Sequence, residues 1–70
     1  MRDVTITREP VELYKILKFE GLVDSGGRAK TVIADGLVTV NGEVETRKRR
    51  KIVNGDIVTF AGEQLVIRLC

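Results

Sequence analysis

The sequence predicts an α+β domain with two helices packed on a small antiparallel sheet. Apolar residues recur at helical spacing in two N-terminal segments. After Gly36 the period changes to two, and the pairs Asn41-Gly42 and Asn54-Gly55 punctuate that half as turns.

Each element follows from local chemistry. Val4 and Ile6 alternate with polar neighbours, so residues 3–7 read as a strand. Pro10 suits the first position of a helix, where a missing N–H costs nothing. Leu13, Ile16 and Leu17 then mark the buried stripe of a helix over residues 11–20, closed by Gly21, with Lys15 and Lys18 on its wet face. Ser25 offers an N-cap for a second helix, whose stripe is Ala29, Val32 and Ile33 and whose stop is Gly36. Residues 37–40 and 43–46 read as a hairpin about Asn41-Gly42. Residues 56–60 and 64–69 read as two further strands joined at Ala61-Gly62, with Asp56 bonding local amides in its turn.

Seventy residues make one domain spanning 1–70, without repeats, low-complexity stretches or linkers. No apolar run approaches the roughly 18 residues of a membrane span, and no apolar stretch follows the N-terminal charges as in a secretory signal. A soluble cytoplasmic protein is expected. Histidine is absent and Cys70 is the only cysteine. A zinc site, an internal disulfide and a histidine base are thereby excluded, and Cys70 reads as an inert thiol. No cofactor, metal or small-molecule substrate is expected, and independent catalysis is not expected either.

Net charge is only +2, yet its distribution is uneven. The segment 28–51 carries +4, from Arg28, Lys30 and the run Arg47, Lys48, Arg49, Arg50 and Lys51 against Asp35, Glu43 and Glu45. The remainder carries −2. A localised patch of this kind points to a polyanionic partner. The plain alternative is a solvated loop kept soluble by its charges.

Residues 25–42 read Ser-Gly-Gly-Arg-Ala-Lys-Thr-Val-Ile-Ala-Asp-Gly-Leu-Val-Thr-Val-Asn-Gly, and Gly55-Asp56-Ile57 follows downstream. This pattern resembles the RNA-binding domain of the ribosomal protein S-four type, also called the alpha-L motif. Ser25, Ala29, Ile33, Gly36, Val38, Val40, Asn41 and Gly42 carry the resemblance, which covers roughly residues 11–60. Residues 45–53 also look like the same stretch of the small free-standing bacterial proteins of the YbcJ type. Two positions depart from the family habit: Gly26 and Lys30 stand where arginine is common. The resemblance implies a non-enzymatic protein of translation that binds structured RNA, ribosomal or transfer RNA. Nothing in the sequence demands more than a monomer.

The residues themselves support a site of that kind. Free N–H groups at Gly26, Gly27 and Arg28 would form an anion site behind the Ser25 cap. Arg28 and Lys30 would add charge on that wall, and residues 47–51 would form the other. Such a surface reads phosphates and shape rather than bases. Only Tyr14, Phe19 and Phe60 are aromatic, which argues against a stacking platform. A protein-interaction module docking its basic face on an acidic partner is the alternative.

Overall fold

Alternation along the strands places the core. In the computed structural model, which describes all 70 residues, the chain order is β1 (Arg2–Ile6), β2 (Val11–Glu12), α1 (Leu13–Phe19), α2 (Gly26–Ala34), β3 (Val38–Val40), β4 (Glu43–Val44), β5 (Lys51–Ile52), β6 (Ile57–Phe60) and β7 (Glu63–Leu69). Val4 and Ile6, Val38 and Val40, and Leu65 and Ile67 are alternate residues of their strands and all enter one core. Leu13, Ile16 and Leu17 of α1 meet them there, with Ala29, Val32 and Ile33 of α2. Both helical stripes are therefore the ones the apolar spacing marks.

The sheet is five-stranded in the order β1-β7-β6-β3-β4. The β3–β4, β3–β6 and β6–β7 pairs are antiparallel, but β1 lies parallel to β7. The α+β class with two helices on a sheet holds, and the sheet is mixed rather than wholly antiparallel. Alternation dictates which face of β1 is buried, but not the direction of its neighbour.

The hairpin turn has both central residues in the left-handed region, Asn41 at φ 53° and Gly42 at φ 85°. Its side chain also ties two turns together. Asn41 Nδ2 donates to Asp56 Oδ1 at 3.1 Å, and Asn41 Oδ1 accepts from the Ile57 N–H at 2.9 Å. Asp56 Oδ2 accepts from the Val53 N–H, so the carboxylate does serve its local turn.

Helix α1 starts later than its sequence signals suggest. Pro10 is not its first residue; it precedes β2 and follows a cis peptide bond. Val11 and Glu12 are extended because they pair with Ile52 and Lys51 of β5. The helix N–H groups of Leu13 and Tyr14 then donate to the carbonyls of Arg50 (2.9 Å) and Lys48 (3.1 Å). Glu12, at the N-cap position, makes no side-chain cap. Carbonyls of the basic run thus satisfy donors that a local cap normally takes.

Candidate nucleic-acid interface

One wall of the site is the start of α2. Ser25 has extended backbone, and its Oγ accepts from the Arg28 N–H at 3.1 Å. The cap expected at Ser25 is present, and it occupies the Arg28 N–H, so that N–H is not the free donor expected of it and the anion site is left with those of Gly26 and Gly27. Gly26 and Gly27 begin the helix, and neither has positive φ. A Cβ at Gly26 would lie 3.9 Å from the Tyr14 ring, and one at Gly27 would lie 3.9 Å from Ser25 Oγ. Both are ordinary contacts, so nothing within the chain demands glycine there. Arg28 is exposed and has no carboxylate partner. A lone cation in the first turn of a helix opposes the helix dipole, a cost of a few tenths of a kcal/mol or more that a bound anion would relieve. Lys30 lies two residues further on, its Nζ 4.7 Å from the centroid of Tyr14.

The other wall is the turn that carries residues 47–51, and it is built around Glu45. The strand after the hairpin ends at Val44, short of the expected residue 46. Glu45 is buried, 6% exposed, and its carboxylate accepts four hydrogen bonds. Oε2 takes the Arg47 N–H (2.9 Å) and Nε (3.0 Å); Oε1 takes Arg47 Nη2 (3.0 Å) and Arg50 Nη1 (2.7 Å). The Arg47 guanidinium does most to hold the Glu45 carboxyl down at about 2, with Arg50 and the Arg47 N–H adding to it against the opposing effect of burial. Glu45 in turn holds Arg47 more firmly protonated.

The other members of the run are freer. Arg49 reaches Glu12 at 3.8 Å, an exposed and weak pairing. Lys48 and Lys51 have no carboxylate within ion-pair distance. Arg47, Arg49, Arg50 and Lys51 alone line an open concavity, to which Lys48 does not contribute.

Tyr14 connects the walls. Its N–H donates to the Lys48 carbonyl, while its ring lies under Lys30 and beside Gly26. The basic run and the start of α2 therefore share one support on α1. Reading the sequence for charge missed both Tyr14 and Glu45. Glu45 was available as a single acid followed at two and five residues by arginines; Tyr14 carried no comparable signal. Lys15 lies farther from the Tyr14 ring, 6.0 Å, and pairs with Glu12 at 3.3 Å.

A second groove of about 480 Å³ runs between β1 and α1, with Phe19 and Lys51 at its margin. No three of the Cys, Asp and Glu residues gather as a metal-binding group. No helix is long and apolar enough to cross a membrane.

Comparison with known proteins places this architecture. The S4 domain model matches residues 4–68. The chain belongs to the S4 domain family. The family is one of RNA-binding domains, not of enzymes. Among S4 relatives, YbcJ of Escherichia coli (strain K12), provisionally named an RNA-binding protein, is 54% identical over 68 residues, covering 96% of this chain and 97% of that protein. RlbA of Bacillus subtilis (strain 168), provisionally named a ribosome maturation protein, is 36% identical over 59 residues, covering 84% and 83%. The solution structure of E. coli YbcJ, described as revealing an alpha-L motif involved in RNA binding, superposes with a TM-score of 0.74. That alignment covers 97% of this chain and 87% of the other, with 46% identity. The S4 fold and its alpha-L motif are therefore those of this chain.

Proposed function

We propose that this S4 domain is a non-enzymatic RNA-binding protein that grips structured RNA, ribosomal or transfer RNA, by its phosphates. The interface is the composite surface of Ser25, Gly26, Gly27, Arg28 and Lys30 with Arg47, Lys48, Arg49, Arg50 and Lys51. The observation that carries this reading is the concavity lined only by cations, in a turn linked through Tyr14 to an α2 start whose Arg28 has no counter-ion. The names borne by the YbcJ and RlbA relatives point the same way. Backbone N–H groups and cations suit phosphate, and structured RNA is read mostly through phosphate contacts and shape.

The four cations free of ion pairs (Arg28, Lys30, Lys48 and Lys51) and the three with partners set the range of phosphates neutralised at about four to seven, so affinity should fall steeply and log-linearly with salt. A filter-binding series on an RNA hairpin tests this. Charge reversal across residues 47–51 should abolish binding at moderate salt; unchanged binding would refute the reading. An acidic protein partner is separated by nuclease: partners retained after RNA digestion would favour that alternative.

A further inference from the structure

Glu45 is the one buried charged residue of the chain, and it lies inside its most basic segment. By charge alone it should weaken the hold on a polyanion, because it pairs with two of the five cations in the run and removes one net positive charge. Its geometry indicates the opposite effect. A guanidinium has five N–H donors in a rigid fork. Arg47 spends Nε and one Nη2 donor on Glu45, and Arg50 spends one Nη1 donor. The remaining donors stay available, since the Arg47 side chain is 73% exposed and both arginines line the concavity. Glu45 also accepts from the Arg47 backbone N–H, which anchors the start of the turn. The far end is anchored where the carbonyls of Lys48 and Arg50 meet the first N–H groups of α1.

We propose that Glu45 is the positioning residue of this interface, its carboxylate fixing Arg47 and Arg50 so that their unspent N–H groups are already in place for RNA phosphate. The inference rests on the RNA-binding reading above. Unheld, two long arginine side chains would lose rotamer freedom on binding; held by Glu45, they have lost it already. An anion within the binding surface therefore raises affinity for a polyanion. The carboxylate does not touch the RNA. It acts through the two guanidinium groups.

The test uses the full chain, an RNA hairpin bound by the unmodified protein, and the variants Glu45→Gln and Arg47→Lys. Glu45→Gln makes the protein more positive by one charge, whereas Arg47→Lys keeps the charge and loses the fork. Each should bind about three- to tenfold more weakly, at a temperature where melting curves show it folded. The Arg47 Nε–H, hydrogen-bonded to Glu45 in the unmodified protein, should exchange faster with water in Glu45→Gln. Equal or tighter binding by Glu45→Gln would overturn the proposal, since it is the result that charge alone dictates. Should Glu45→Gln fail to fold, Glu45→Asp decides, because it keeps the charge but shortens the reach to Arg47 and Arg50: weaker binding supports positioning, and unchanged binding refutes it. An unmodified protein that binds no RNA sinks the RNA-binding reading itself, and positioning with it. RNA binding retained with an unweakened Glu45→Gln sinks positioning alone.

Discussion

Glu45 and Gly27 make opposite demands on stability. The Glu45 carboxyl lies at about 2 in the folded chain, below its ordinary value of 4.5, chiefly because Arg47 donates to it. A depressed folded value means that the carboxylate contributes stability above about 4.5, and that this contribution is lost as pH falls toward 2. Urea melts across that window should show stability dropping more steeply in the unmodified chain than in Glu45→Gln. Parallel pH profiles would show that the contacts carry no net stabilisation. Gly27 runs the other way. Its Cβ position is open and its φ is not positive, so Gly27→Ala should stabilise α2 by about 0.5–1 kcal/mol, which thermal melting would register as a rise of a few degrees. The same substitution should weaken RNA binding if phosphate approaches this backbone closely. A variant both more stable and fully competent would remove Gly27 from the interface.

At the level of elements, what was legible in the sequence was what is local. The stripe of Ala29, Val32 and Ile33 follows from helical spacing, and Ser25 and Gly36 mark the ends of α2 by cap and stop. Asn41-Gly42 announces its own turn. The β2–β5 pair was not legible. Two residues have no period, and the partners lie 41 and 39 positions apart, so Pro10 carries a helix-start signal where an extended segment forms. The parallel β1–β7 pairing was hidden for a related reason, since alternation names a buried face and never a neighbour. The candidate site divides in the same way: its cations were visible as a run, whereas Glu45 looked like a mere offset because its four acceptor contacts depend on how the turn folds back. The link between the two turns can be tested at Asn41. Asn41→Gly keeps the positive φ accessible while removing both side-chain hydrogen bonds to Asp56 and Ile57, and should cost about 1–3 kcal/mol in chemical denaturation. A loss of a few tenths would mean the turns are independent.

For the whole molecule, the central claim is that the start of α2 and the 47–51 turn act as one surface because both rest on α1 at Tyr14. Neither wall alone distinguishes RNA binding from a solvated charge cluster. Their shared support favours a single surface over two separate charge clusters, since it brings cations of two chain segments onto a common base. The 30 × 22 × 18 Å molecule leaves ample surface elsewhere, including the groove between β1 and α1, for a partner to choose instead. Titration of the isotope-labelled protein with an RNA hairpin, followed by backbone amide shifts in NMR, is the most direct measurement. If the two walls form one surface, residues 25–30 and 47–51 shift together and saturably, with one common affinity. Shifts confined to β1 and the groove between β1 and α1, or two walls that respond with separate affinities, would contradict it.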